Sequence, residues 1–458
     1  MTTSGHSAAR RDQAYLFHPY TNLKRHEQEG PFIIERGHGV MVTDDTGREY
    51  IEGMAGLWCV ALGFDESRLA AAAEHQMRTL PFYHVFGHKS HGPAIDLAEQ
   101  LVKLAPWPLK GKPLTKVLFA NSGSEANDTA IKLIWYYNNA LGRPEKKKII
   151  SRMKAYHGVT VATASLTGLP NNHRDFDLPI ARILHAECPH YYRHANPGES
   201  EEAYATRLAE NLDVLIQVEG PDTVAAFFAE PIMGAGGVIV PPATYFEKIQ
   251  AVLQRHDVLL VADEVICGFG RTGRFWGSET FGIEPDILTC AKALSSGYLP
   301  ISATLVTESI YRACVAESEK IGVFGHGFTY SAHPVCAAVA LEALAIYHER
   351  NILDHVRRVA PHFQASLRRL ADHPLVGEVR GVGLIAGVEL VADKASKTSF
   401  PAAAAMGAHV QNLAAEHGLI TRAMGDTLAF APPLIITEPE IDELVARFTR
   451  ALNATRRP

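Results

Sequence analysis

VADEVICGFGRTGRFWGSETFGIEPDILTCAK, residues 261–292, decides how the rest of the chain is read. From Val258 the run VLLVADEV is aliphatic and β-branched without alternation, the pattern of a strand covered on both faces in a parallel sheet. It stops at two acids, so Asp263 is expected at the strand's carboxyl end. Open α/β sheets bind ligands at that edge, which places the carboxylate for a ligand rather than for the core. A glycine-interrupted loop follows, and PDILTCAKAL from Pro285 supplies a second short apolar run closing on Lys292. A lysine that ends a buried strand is unusual unless its nitrogen is engaged.

An acid and a lysine ending two nearby strands match the needs of one cofactor. Pyridoxal phosphate (PLP) is held as a Schiff base on a lysine, and a carboxylate facing its pyridine nitrogen keeps that nitrogen protonated, so the ring accepts carbanion electrons. A plainer reading stands beside it, with Asp263 and Glu264 capping the loop and Lys292 snorkelling to the surface.

Upstream, the strand KVLFA runs into NSGSEANDTAIKLIWYYNN, where Ser122 and Glu125 form the capping box of a helix. The same turn offers free N–H groups, two hydroxyls and Gly123 at a positive helix end, the parts of a phosphate cradle. Neither a Walker loop nor a GxGxxG is present, so a monophosphate fits better than a nucleotide. The strand in KKKIISRMKAYHG leads to Tyr156 and His157. An aromatic placed there stacks on a planar ring or simply fills core. VAAFFAEPI ends at Glu230 and opens into MGAGGVIVPP. Strands and helices alternate from about Leu97 to Val306, which implies βαβ crossovers and a mostly parallel sheet.

Towards the start, VMVTDDTGREYIEG reads as a small hairpin, followed by Trp58 as core, interface or pocket wall. Beyond Thr329, helices from near Pro334 and Ile352, strands in GEVRGVGLIAGVEL and TLAFAPPLI, and a closing helix imply a smaller α+β domain. The expected division is 1–65 and 329–458 for the small domain and 66–328 for the large one.

The 458 residues are 47% hydrophobic and 21% charged, an ordinary globular composition. A net charge of −6 without a basic stripe argues against nucleic acid as a partner. No apolar run reaches membrane-spanning length and the first residues lack an apolar leader core, so a cytoplasmic enzyme is expected. Cys59, Cys188, Cys267, Cys290, Cys314 and Cys336 are scattered, as reduced thiols are. HAECPHYYRHA gathers His185, Cys188, His190 and His194, but the spacing fits no zinc template and Pro189 with its tyrosines suggests a surface loop, so no metal site is expected.

Taken together, TGREYIEGMAGLW, NSGSEAND, AYHG, EPIMGAGGVIVPP, VADEVICGFGRTG, PDILTCAKALSSGYLP, HGFTYSAHPVCAAVALE and ITRAMGDTLAFAPPL resemble, in this order and over nearly the whole chain, the class III (ω-type) aminotransferases of PLP fold type I. The resemblance implies a seven-stranded, mostly parallel sheet in the large domain. It makes Lys292 the Schiff-base lysine, Asp263 the partner of the pyridinium, and Gly123 with Ser124 the phosphate cup. Tyr156 would stack on one face of the ring and Val265 would pack on the other, with His157 and Glu230 also at the cofactor. Thr329 would reach the phosphate of a neighbouring subunit, which implies a homodimer with shared active sites, or a tetramer built from dimers.

Two positions bear on substrate. Glutamate-using members carry a glutamate that pairs with a mobile arginine; Ala235 stands at the glutamate's place and Arg422 at the arginine's. An ungated Arg422 can grip a carboxylate bidentately and swing out for an apolar amine. This resembles the amine:pyruvate or β-alanine:pyruvate subgroup, with Trp58, Phe86 and Tyr156 lining the substrate pocket. A 2-oxoglutarate-using ω-amino acid enzyme and a same-fold aminomutase or racemase are the alternatives. Met233, where many relatives have glutamine, has no account.

Overall fold

A computed structural model describes residues 7–106 and 112–456. Residues 1–6, the first of those searched for a leader, lie outside this range. Its centre is a seven-stranded sheet in the order Leu114–Ala120, Ser302–Thr307, Ile287–Cys290, Leu259–Asp263, Val224–Ala229, Lys148–Arg152 and Ile183–Ala186. Only Ser302–Thr307 runs antiparallel to its neighbours; the other pairings are parallel. Val224–Ala229 is buried at every residue, which is why its sequence shows no alternation. Helices Gly123–Ala140, Glu201–Glu219 and Tyr245–Arg255 form crossovers that cover the sheet. The short strand Ile183–Ala186 at the sheet's edge escapes sequence reading because its four residues show no period.

The expected hairpin forms as Met41–Asp44 against Glu49–Glu52. Its second strand pairs in parallel with Leu419–Ile420, so the two ends of the chain share one four-stranded sheet. A third sheet comprises Val376–Val382, Ile385–Leu390, Thr427–Phe430 and Arg422–Met424. It is tied to the central body by Arg380, whose guanidinium donates to the carbonyls of Gly237 and Val238 and pairs with Glu378 and Glu389. The surface loop expected around His190 is not what forms. His190 is 3% exposed and lies 3.1 Å from Glu378, because the third sheet packs over it. No described helix is long and apolar enough to cross a membrane.

Candidate active site

Asp263 ends its strand and Lys292 follows the next strand by two residues, and the sheet brings both to one cavity together with Gly123, Ser124, Tyr156, His157, Glu230 and Val265. Asp263 is 3% exposed. Its Oδ2 accepts from Asn127 Nδ2 at 2.7 Å and lies 2.8 Å from His157 Nδ1, while Oδ1 accepts only the Val265 N–H at 3.1 Å. One oxygen is thus fixed by protein and the other keeps a lone pair for an N–H⁺ donor. Asn127 is itself locked, donating to the His157 carbonyl and accepting from Thr289 Oγ1 at 2.8 Å. It was not singled out in the sequence; its only signal is a place one turn inside the helix that Ser122 caps.

The second acid has another task. Glu264 is fully buried and accepts from the Gly277 N–H and from both the N–H and hydroxyl of Ser278. Burial raises its pKa to about 7. The loop-capping reading therefore holds for Glu264, while Asp263 faces the cavity.

Lys292 adopts a left-handed φ of 48°, a strained conformation for a lysine that the surrounding strands must impose. Its side chain retains some access through the cavity mouth, yet the packing around it removes enough water to lower the ammonium pKa, against the opposing pull of Cys59, Asp263 and Glu230. It makes no hydrogen bond or ion pair among the described residues.

Opposite, Ser122 Oγ caps the helix by accepting the Glu125 N–H. Glu125 reaches back to the N–H of Asn121 rather than that of Ser122, a variation on the expected box. The N–H groups of Gly123 and Ser124, at the first two helical positions, have no intrahelical partner. A Cβ on Gly123 would sit 3.0 Å from Val265 Cγ1, so glycine lets the helix end and Val265 close on the cavity together. Glu230 acts from behind: its carboxylate accepts the Tyr156 and Gly234 N–H groups at 2.9 and 3.0 Å, joining the aromatic's turn to the loop that carries Ala235. Burial raises the pKa of Glu230 and of the Tyr156 phenol, the latter also through Tyr20 beside it. Tyr20, unremarked in the sequence, lays its ring 6.4 Å from that of Tyr156.

These groups fit PLP on structural grounds: a half-buried lysine with no partner among the described residues, a carboxylate whose Oδ1 keeps a lone pair open, and paired N–H groups at a helix end with room left by glycine. The residues expected to meet substrate stand further out. Ala235 is half-buried in the Met233–Ile239 loop, and Arg422 begins an edge strand, near enough for its charge to act on Lys292 and Tyr156. The Arg422 side chain has no hydrogen bond or ion pair among the described residues. Trp58 is 2% exposed and packs in one cluster with Ile232, Ile266 and Met424, behind the cavity rather than open to it. Phe86 and Thr329 are exposed and lie outside the cavity; Phe86 touches the same segment, at Gly327, that carries Thr329.

Known proteins resemble this chain over nearly its whole length. The chain is 51% identical over 439 residues to a mitochondrial gamma aminobutyrate transaminase 1 of Solanum lycopersicum, covering 96% of this chain and 84% of that protein. It superposes on the omega transaminase of Pseudomonas jessenii in complex with PMP, the amine form of the same cofactor, with a TM-score of 0.96, 56% identity and 98% of each chain covered. A solved transaminase with L-alanine gives a TM-score of 0.90 at 61% identity, covering 92% of this chain and 98% of that one. The architecture is accordingly that of a fold type I PLP enzyme. The cytoplasmic expectation fails against these relatives, which include mitochondrial transaminases of tomato and rice and a chloroplastic one of tomato. The absence of an apolar leader core could not decide it, since organelle transit segments are amphipathic rather than apolar. With the sequence pattern of the class-III aminotransferases matching residues 23–452, the chain belongs to that PLP-dependent family.

Proposed function

We propose that this aminotransferase moves an amino group from a primary amine or ω-amino acid to pyruvate. The observation that carries the reading is the pair Ala235 and Arg422: a methyl group stands where a carboxylate gate would hold the arginine, and the arginine's side chain has no partner among the described residues. A free guanidinium binds a small keto acid's carboxylate bidentately and leaves when an uncharged amine enters. Relatives named for γ-aminobutyrate, an ω-amino acid, and a solved relative with L-alanine, the amino partner of pyruvate, support the same pairing of substrates.

When bound, PLP supplies the electron sink that makes the substrate's C–H acidic. The chain's own residues do the rest. The Gly123 and Ser124 N–H groups would hold the phosphate, Asp263 would accept the ring nitrogen's proton, and Val265 and Tyr156 would confine the ring, with Glu230 and His157 bracing the walls. Burial lowers the Lys292 pKa, so more of its Nζ is neutral and able to take and return the proton; positioned transfer of this kind is worth roughly 10²–10⁴-fold. Trp58 backs the apolar side of the pocket from behind, in one cluster with Ile266.

Phe86 and Thr329 belong, in this reading, to the site of a second copy. Phe82, Phe86 and Tyr330 are exposed, Phe82 packs edge-on against Tyr330 beside Thr329 and Phe86 lies against Gly327, an apolar surface suited to a homodimer or a tetramer of dimers. The division into 1–65 with 329–458 against 66–328 is likewise proposed, supported by the parallel pairing of Glu49–Glu52 with Leu419–Ile420. The deciding experiment measures initial rates for a panel of amine donors against pyruvate and 2-oxoglutarate. Pyruvate should win by at least about tenfold, or 1.4 kcal/mol. Equal or faster turnover with 2-oxoglutarate overturns the acceptor assignment.

A further inference from the structure

The N-terminal arm carries a second convergence of ligating side chains, outside the cavity around Lys292. Helices Ala8–Tyr15 and Leu23–Glu29 fold back on each other, and the Gln13 amide donates to the carbonyls of His26 and Glu27 at 3.2 and 3.1 Å. Between them, His18 Nε2 lies 2.9 and 3.0 Å from the two oxygens of Asp12, and His26 Nε2 lies 3.0 Å from Oδ1 of the same carboxylate. The two imidazole centroids are 4.1 Å apart, and the side chains are only 25% (His18), 16% (Asp12) and 11% (His26) exposed. Both rings aim Nε2 at the same carboxylate, so three ligating groups converge on one point. Bonds of about 2.0–2.1 Å to a tetrahedral ion separate its ligands by about 3.3 Å; each imidazole nitrogen stands within a few tenths of an ångström of that separation from Asp12 Oδ1, and the ligating atoms all lie within 4.8 Å of one another.

We propose that Asp12, His18 and His26 form a site for a divalent transition cation of the zinc class, with water completing the coordination. Two imidazoles and a carboxylate suit such an ion better than calcium or magnesium, which take oxygen ligands. The spacing Asp12, His18, His26 follows no local zinc template, so the ligand set exists only once the arm folds back; it departs from the expectation of no metal. His18 lies two residues before Tyr20, whose ring sits against Tyr156 and whose hydroxyl bonds Asn172. The ion therefore staples the arm that lays Tyr20 on the rim of the cofactor cavity. This inference stands independently of the substrate assignment.

The test uses untagged holoenzyme freed of metal by a chelator and titrated with Co²⁺, whose visible absorption reports its ligands, and then with Zn²⁺. The expected result is one Co²⁺ per chain with the intense bands of a low-coordinate imidazole site, displaced by Zn²⁺. Asp12→Asn and His26→Gln, checked for normal folding by circular dichroism, should each weaken binding at least about tenfold, since even outer partners of metal ligands cost that much. Only the faint spectrum of hydrated Co²⁺ in the wild-type protein, or a site that survives both substitutions, overturns the proposal. If a variant does not fold, the wild-type cobalt spectrum alone decides.

Discussion

The two sides of the active site are built on opposite terms. On the carboxyl edge of the seven-stranded sheet, Asp263, Asn127, His157 and Thr289 lock one another in buried hydrogen bonds of 2.7–2.8 Å, and Glu230 ties two further loops to this frame at 2.9 and 3.0 Å. On the edge of the C-terminal sheet, Arg422 is held by its backbone alone: the strand Arg422–Met424 pairs on one side with Thr427–Phe430, and Gln411 accepts the Ala423 N–H. The cofactor side is preorganised because one ring must be held in one pose. The proposed substrate side is looser, as suits a pocket that two different substrates would enter in turn. Rigidity and freedom are thus separated between two sheets rather than compromised in one.

The contrast predicts a graded set of outcomes. Lys292→Ala removes the one group that cannot be replaced and should abolish transamination, by at least the roughly 10²–10⁴-fold of a positioned proton transfer, along with the Schiff-base absorbance. Normal turnover in that variant would break the whole assignment. Arg422→Ala should raise KM for the keto acid by about ten- to a hundredfold, the worth of a charge-assisted hydrogen bond of about 1.5–3 kcal/mol, while rates with uncharged amine donors change little. An equal loss for both would place Arg422 with the rigid side. Asn127→Ala should loosen Asp263 without deleting its charge. We expect cofactor affinity to fall about tenfold, read by equilibrium dialysis, with substrate preference unaltered.

The smallest effect concerns pH. The Glu264 carboxyl has a pKa of about 7 in the folded chain against an ordinary 4.5, so the folded state binds the extra proton between those values. Its contribution to stability is complete below about 4.5 and is lost as pH rises through about 7. Glu264→Gln should therefore flatten the fall in Tm between about pH 5 and about pH 8, a difference readable by scanning calorimetry. An unchanged slope would mean that Ser278 and the Gly277 N–H offset the desolvation fully.

Much of the rigid side could be read in the chain. Asp263 and Lys292 end apolar runs whose lack of alternation marks strands buried on both faces, and Ser122 announces its helix by a local cap. Such signals survive in sequence because they are properties of a few adjacent residues. Tyr20 left none and Asn127 only its place inside a capped helix: both look like many others until the fold brings Thr289 and Tyr156 to them. His190 misled for the same reason. Its Pro-Tyr-Tyr surroundings resemble a surface loop, and only the arrival of Glu378 and Arg380 from the third sheet buries it.

The sequence by itself determined the alternating strands and helices, the acid and lysine at their ends and, through the ordered motifs, the resemblance to the class-III aminotransferases. It did so because hydrophobic period and capping act over a few residues. Tertiary structure decided which of two adjacent acids faces the cavity, which residues lock it, that Trp58 packs behind the pocket and that the Arg422 side chain meets no partner among the described residues. Those facts depend on groups tens to hundreds of residues apart meeting in space, where burial and hydrogen-bond geometry, rather than local pattern, set what each side chain can do.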